Sequence, residues 1–259
     1  MGTRWRFEQH LDAIEQAAAH LAGRARRAGP AAEVPSCPRW TVADLVAHQG
    51  MVHRWAVSNL RGQGPVSTPK SQILAEVPAE RLVDWFEEGA RLLLKTLHET
   101  PADVEAMVFL RDAPPPREFW ARRQAHETTI HSVDALAAEL GRLPLAEEAD
   151  IGADLALDGL DELLCGFVPR GQSRLERQDG TTLAVLPGDA ETGWLLTLGD
   201  RIEAVRVPAD SEEIGAANHR FTGTAAQLYL GLWNRGDEMT SSDPDLLRQW
   251  RGKQRIRWS

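Results

Sequence analysis

Glu127 and His131 are a carboxylate and an imidazole at a separation that suggests a shared ligand. They are four residues apart in a segment with a helical pattern, so their side chains lie one above the other on one helix face. A carboxylate oxygen and an imidazole nitrogen placed in this way form two-thirds of a 2-His-1-carboxylate metal site, which leaves coordination positions open. On spacing alone, a hydrogen-bonded pair at the surface is the commoner arrangement. His126 cannot be the third ligand, because it points roughly 140° away around the same helix.

His48 is the candidate third ligand. It lies in an earlier helical segment, on the inward stripe that also carries Leu45 and Val52. A lone histidine on an apolar face is usually a hydrogen-bonded core residue. Here, however, a Glu/His pair on another helix could bind one metal ion together with it. We therefore predict a site made of His48, Glu127 and His131.

Four long amphipathic helices are predicted to position these residues. The apolar residues recur at helical spacing over about 5–28, from 41 to a loop rich in Gly and Pro at 61–78, over about 79–98, and from the proline cluster at 114–116 to Leu140. Their connections suit antiparallel neighbours, which predicts a four-helix bundle over residues 1–145. If the second and fourth helices are neighbours, the three candidate ligands meet at a similar depth in the core.

Two polar residues near His48 are predicted to have other roles. Thr41 and Asp44 resemble a capping box at the start of the second helix, so we expect Asp44 to satisfy backbone N–H groups rather than to act in catalysis. His53 lies five positions after His48 and should face elsewhere, as a surface residue or as one that supports the ligands.

The second half of the chain has a different pattern. A fifth helix is expected over 151–167, followed by three short strands at 181–186, 193–198 and 201–207 and a last helix at 223–233. Asp179-Gly180 and Gly199-Asp200 are turn signals, so the strands are predicted to form a small antiparallel meander. The predicted fold is thus an α-helical bundle followed by an α+β domain over residues 146–259.

Composition excludes several classes of function. The 259 residues carry a formal net charge of −9, which argues against nucleic acid as the main partner. The two cysteines, Cys37 in a loop and Cys165 in an apolar run where we expect it to be buried, are too few for a disulfide framework and are expected to be structural. No apolar segment has membrane length and the N-terminus lacks the apolar region of a signal peptide, so we expect a cytoplasmic protein.

The C-terminal run 248–258 interleaves basic residues with Trp250 and Trp258, a composition typical of weak single-strand nucleic-acid binders. In an acidic protein, such a run more often packs on its own negative surface or is solvated. We keep nucleic-acid binding as a minor alternative.

The chain resembles the mycothiol-dependent maleylpyruvate isomerase family of the DinB-like superfamily. Three segments carry the resemblance: Trp40-Thr41-Val42-Ala43-Asp44-Leu45-Val46-Ala47-His48 with Arg54-Trp55, Glu127-Thr128-Thr129-Ile130-His131-Ser132-Val133-Asp134-Ala135, and Phe221-Thr222-Gly223-Thr224-Ala225-Ala226-Gln227-Leu228-Tyr229-Leu230-Gly231-Leu232-Trp233-Asn234-Arg235. The likeness covers nearly the whole chain. One departure is Ser132, where the family usually has an arginine.

The resemblance implies that His48, Glu127 and His131 bind a divalent metal, most often zinc, although this ligand set also suits non-haem iron. The metal would bind the sulfur of mycothiol or a similar low-molecular-weight thiol and depress its pKa. In the isomerase reaction the thiolate adds to an activated cis double bond, the resulting single bond rotates, and elimination gives the trans product. The substrate would be a small acidic or electrophilic molecule.

The resemblance also implies a role for Arg235, which matches the arginine that closes the last motif. It could extend into the site and stabilise the substrate's carboxylate or a developing enolate, or it could only complement the dipole at a helix C-terminus. Three functions remain open from the sequence. They are a thiol-dependent isomerase, a thiol S-transferase that consumes the thiol, and a non-enzymatic DinB-like binding or stress protein with a vestigial or structural metal.

Overall fold

The computed structural model describes residues 5–64, 67–111, 113–171, 173, 175 and 180–254. These residues form two compact units. The first unit contains Trp5–Phe109 and Ala113–Pro144, and the second contains the described residues from Leu145 onward together with Leu110 and Arg111.

The first unit is helical. Its α-helices are α1 (Phe7–Ala28), α2 (Val42–Leu60), α3 (Lys70–Glu76), α4 (Leu82–Glu99) and α5 (Pro116–Leu140), with a 3₁₀ turn at Ala79–Arg81 before α4. The four long helices agree with the helices predicted from the apolar periodicity. The segment 61–78 was predicted to be an irregular loop, and that prediction was wrong for α3, a helix of seven residues. Its single buried residue, Ile73, gives too little periodic signal for a helix of this length to be recognised.

The long helices pack as a bundle in which α2 contacts both α4 and α5. Leu21, Leu45, Phe86 and Ala135, one from each long helix, are members of one buried apolar cluster. The contact between α2 and α5 brings the helix of His48 next to the helix of Glu127 and His131, which was the condition for the predicted site.

The second unit contains the remaining elements. Its α-helices are α6 (Ala146–Ala149), α7 (Ala153–Asp161), α8 (Glu212–Gly215), α9 (Ala225–Leu232) and α10 (Pro244–Lys253); its strands are β1 (Thr181–Pro187), β2 (Thr192–Leu198), β3 (Glu203–Pro208), β4 (His219–Gly223) and β5 (Thr240–Ser241). Helix α7 continues as a π-helix at Glu162–Phe167 and a 3₁₀ turn at Val168–Arg170. The helix predicted over 151–167 corresponds to α7 and this π-helix.

The sheet has five strands in the order β3-β2-β1-β4-β5. Strands β1, β2 and β3 form the antiparallel meander that the turn signals predicted. The meander is not the whole sheet, because β4 pairs with β1 in parallel and β5 pairs with β4. Gly223, predicted to begin the last helix, is the final residue of β4, and α9 begins at Ala225. The prediction missed β4 because a parallel partner is reached through a long connection and leaves no local turn signal.

The basic C-terminal run is in part a helix. Asp243 caps α10, and the buried Trp250 donates from Nε1 to the backbone oxygen of Leu232 at 3.1 Å. Trp250 therefore has a structural role. Residues 255–258 of the run, and Asp179 of the predicted turn, lie outside the described residues. Cys165, expected to be buried, is partly exposed.

Within the described part of the chain, no helix combines the length and the apolar character that crossing a bilayer requires.

Candidate metal centre

The structure brings His48, Glu127 and His131 together inside the helical unit. Glu127 Oε1 lies 3.3 Å from His131 Nε2 and 3.7 Å from His48 Nε2. The three side chains are 6 to 12% exposed. One ligand atom from each residue lies within 4.8 Å of the other two. The Glu127 and His131 pair is therefore not the surface pair that its spacing alone would favour.

The two oxygens of Glu127 have different surroundings. Oε2 accepts a hydrogen bond of 2.9 Å from Arg123 Nη2, on the preceding turn of α5. Oε1 is buried, and no donor among the described residues makes a hydrogen bond to it. A buried carboxylate oxygen without a partner is costly, and a cation at this position would satisfy it.

The distances between the ligand atoms fit a divalent metal. Ligands at 2.0–2.1 Å in a tetrahedral zinc site are separated from one another by about 3.3 Å. The two distances from Glu127 Oε1 are close to this value. Three protein ligands leave at least one coordination position open, which is the arrangement of catalytic rather than structural zinc.

Asp134 fixes the orientation of His131. Its Oδ2 lies 2.8 Å from His131 Nδ1, which directs Nε2 of the same ring toward Glu127. Asp134 is fully buried, and Ser36 Oγ donates to its other oxygen at 2.5 Å. A carboxylate behind a histidine fixes the ring and its tautomer and raises its basicity as a ligand.

The protonation states suit metal binding. Burial lowers the pKa of His48, and its neighbours His131 and Lys70 act in the same direction, so His48 is neutral with a lone pair to donate. The pKa of Glu127 lies well below its usual range. Burial alone would raise it, but His131, His48 and Arg123 outweigh that effect.

His131 is the exception, because its pKa is raised to about 9. Burial opposes this rise, whereas contacts with Asp134 and Glu127 favour the protonated ring and outweigh it. A metal ion that binds here would displace this proton.

Trp40 forms one wall of the centre. Its ring centroid lies 4.8 Å from that of His48 and 5.9 Å from that of His131, nearly parallel to the latter ring. Lys70 Nζ lies 4.6 Å from the centroid of the Trp40 ring. An aromatic wall excludes water from one side of the ligands.

Other residues singled out from the sequence lie outside this group. His126 is buried, and its ring meets that of His10 edge-on at 6.3 Å, consistent with its predicted direction. Thr41 and Asp44 form the predicted capping box, and Asp44 also pairs with Lys70 at 2.8 Å.

His53 is completely buried, so its placement at the surface was wrong. Its Nε2 lies 2.9 Å from Thr128 Oγ1 and 2.9 Å from Gln49 Nε2. Gln49 follows His48 and Thr128 follows Glu127, so His53 supports the backbone segments that carry two of the candidate ligands. This is the second of the roles considered for it.

Ser132 stands where the resemblance led us to expect an arginine. An arginine reaches this position from another helix, because Arg24 of α1 donates from Nη1 to the backbone oxygen of Ser132 at 3.0 Å. Arg24 is buried, so a positive charge lies beside α5, the helix that carries His131.

Arg235 lies in the second unit, directly after α9. It is partly buried, and its Nη1 donates to the backbone oxygen of Trp233 at 2.8 Å. Asn234 between them has a φ of 61°, in the left-handed region, and so turns the chain at the end of the helix.

Two residues of the centre, Arg123 and Asp134, were not among the candidates predicted from the sequence. Both could have been found from helical spacing, since Arg123 is four residues before Glu127 and Asp134 is three residues after His131. Spacing alone does not show that both are buried, because charged residues on a helix usually face solvent.

Comparisons with known proteins cover most of the chain. The family model for the mycothiol maleylpyruvate isomerase N-terminal domain matches residues 11–136, and the model for the C-terminal domain of the same family matches residues 154–241. No curated protein matches the chain.

Two solved structures are similar over nearly their whole length. A crystal structure of mycothiol-dependent maleylpyruvate isomerase has a TM-score of 0.63 and 19% sequence identity, and a histidine-to-alanine mutant of that enzyme has a TM-score of 0.62 and 18% identity. In each case the match covers 93% of this chain and 96% of the other. At this identity the likeness establishes the fold.

Proposed function

The chain belongs to the mycothiol maleylpyruvate isomerase family, and from this premise we propose that it is a metal- and thiol-dependent isomerase. The substrate is a small acid with an activated cis double bond, and the thiol is mycothiol or a low-molecular-weight thiol like it. The single observation that carries the proposal is Glu127 Oε1, a buried and unsatisfied acceptor that faces the Nε2 atoms of two imidazoles.

His48, Glu127 and His131 are the residues that would hold the metal, with zinc as the favoured ion for this donor set. When bound, the metal lowers the pKa of a thiol so that a thiolate nucleophile is present at neutral pH. Arg123 holds Glu127 Oε2 and, after His131 and His48, helps to keep the pKa of Glu127 low, and Asp134 orients His131. The chain's own cysteines are not required.

We propose further that Arg235 binds the substrate's carboxylate. A guanidinium group forms two parallel hydrogen bonds with a carboxylate, and its charge stabilises an enolate that develops next to it. The bond from Nη1 to the backbone oxygen of Trp233 holds the guanidinium in a defined direction.

The test uses the metal-loaded protein, a low-molecular-weight thiol and a cis-configured 1,4-dicarbonyl acid. We expect the cis acid to be converted to its trans isomer with the thiol recovered in full. Glu127→Ala should abolish turnover, and Arg235→Gln should reduce kcat/KM by about 10²-fold. Arg248→Gln, which removes an exposed arginine paired with Asp245, is the matched control and should leave turnover unchanged.

The alternatives give different results in the same experiment. Stoichiometric loss of the thiol with formation of a thioether would identify an S-transferase. Bound metal without any reaction of thiol or acid would leave a non-enzymatic metal-binding protein. Either result contradicts the isomerase.

A further inference from the structure

We propose that Lys70 is a positioning residue of the metal centre, which acts through Trp40 on the ring of His48. The proposal rests on the proposed function, because it concerns the same ligands. It assigns a role to α3, the short helix that the sequence did not predict.

The two ligand imidazoles are held by different means. The His131 ring is fixed by its hydrogen bond to Asp134. Among the residues that the structure describes, none makes a hydrogen bond to His48, and its nearest charged partner is Glu127 Oε1 at 3.7 Å. Since metal-binding histidines usually gain their orientation from a hydrogen bond at the second nitrogen, the His48 ring depends on packing instead.

That packing comes from Trp40. The two ring centroids are 4.8 Å apart, and Trp40 lies in the loop before α2, outside any regular element. A side chain on a loop is less fixed by its backbone than one on a helix. The position of the indole therefore needs a further contact.

Lys70 supplies this contact from the first turn of α3. Its ammonium lies 4.6 Å from the Trp40 ring centroid, within the range of a cation–π attraction. The same ammonium pairs with Asp44 Oδ1 at 2.8 Å.

Asp44 is itself held in place, because its Oδ2 accepts hydrogen bonds from the backbone N–H and the hydroxyl of Thr41. Lys70 is thus fixed between an anchored carboxylate and the indole. A partly exposed ion pair contributes little to stability, but this one holds the ammonium against the Trp40 ring that packs on His48.

The experiment compares metal release from the full-length wild type with that from Lys70→Met and Lys70→Arg. Each protein is loaded with Zn²⁺ and mixed with excess chelator, and the loss of metal is followed with time. Samples loaded with Co²⁺ give an absorption spectrum that reports ligand geometry. We expect Lys70→Met to lose metal about tenfold faster than wild type, the scale of effect seen when a supporting residue is removed, and to show a shifted Co²⁺ band.

Lys70→Arg should behave like wild type, because a guanidinium can pair with Asp44 and stack on Trp40. Lys95→Met is the matched control, since Lys95 is an exposed lysine on α4 paired with Glu99 at 3.8 Å, and it should release metal at the wild-type rate. If the wild type retains metal and Lys70→Met has the same release rate and spectrum, this inference alone is overturned. If the wild type binds no metal, the proposed function fails with it.

Discussion

Glu127 combines three demands in one side chain. In the proposed metal centre it must stay ionised in a buried position, offer one oxygen to a cation and keep the other oxygen fixed. The two histidines and Arg123 together keep the carboxyl ionised. Arg123 also fixes Oε2, which leaves Oε1 between the two imidazoles. The cost of desolvating two buried charges offsets much of their attraction. The main effect of this pair is therefore on the geometry of Glu127 rather than on stability.

Asp134 is predicted to matter for metal affinity. In Asp134→Asn the carboxylate that orients His131 is replaced by a neutral amide, which is a weaker acceptor for the Nδ1 proton. We expect the affinity for Zn²⁺ to fall by about 10- to 100-fold, measured by competition with a chromophoric chelator. Asp103→Asn, at an exposed aspartate in a turn, should have no effect. Equal affinities for the two variants would show that Asp134 does not support the ligand.

His53 is predicted to make stability depend on pH. Burial, together with the charges of Arg54 and His131, lowers its pKa from 6.5 to about 3 despite the opposing charge of Glu127. Between these values the unfolded chain binds a proton that the folded chain does not. Its contribution is therefore present in full above pH 6.5 and is lost as the pH falls toward 3, by at most roughly 1.4 kcal/mol for each pH unit.

The measurement is the free energy of unfolding as a function of pH for wild type and His53→Gln. The variant should lose less stability on acidification between pH 6.5 and 4 than the wild type does. Because other groups titrate in both proteins, the difference between the two curves is the relevant quantity. Parallel curves would mean that His53 takes up its proton in the folded state at an ordinary pKa.

At the scale of elements, the contact between α2 and α5 aligns the ligands. Thr128 Oγ1 on α5 accepts a hydrogen bond from Gln49 Nε2 at 3.1 Å and lies 2.9 Å from His53 Nε2. Gln49 and His53 are both on α2. These polar contacts lie one residue away from His48 and Glu127. They favour one register of the two helices, which apolar packing alone specifies less strictly.

The packing of α2 on α4 gives a prediction at Gly50. A Cβ at this position would overlap ring atoms of Trp85, which is stacked under the guanidinium of Arg54 at 3.7 Å. We expect Gly50→Ala to destabilise the protein by about 1–3 kcal/mol in denaturant unfolding, despite the better helix propensity of alanine. Gly23→Ala on α1 meets only the end of Arg27 at 3.4 Å and should stabilise by up to about 1 kcal/mol. A stable Gly50→Ala protein would mean that Trp85 moves without cost.

The sequence predicts the long helices and the meander well, because each has a local signal. Helical periodicity places His48 on an inward stripe and pairs Glu127 with His131. Elements that depend on distant partners give no such signal, and β4 is an example, since its partner β1 precedes it by more than thirty residues. The two roles left open for His53 could not be separated for a related reason, because its burial depends on Phe86 of α4, whose ring lies 5.4 Å away.

At the scale of the whole molecule, both units carry a domain of one family, and the net charge is −9. This charge opposes binding to a phosphate backbone. It is compatible with a small substrate that is recognised by individual cationic side chains. The ligand group lies entirely within the helical unit. Metal binding by these residues can therefore be tested without reference to the substrate.

The most direct test is the metal content of the purified wild type, His48→Ala and Glu127→Ala, followed by titration with a low-molecular-weight thiol while its ionisation is monitored. We predict about one equivalent of zinc in the wild type, its loss in both variants, and ionisation of the thiol at neutral pH only when metal is present. A wild type without metal, or variants that retain it, would contradict the assignment of His48, Glu127 and His131 as ligands and with it the proposed function.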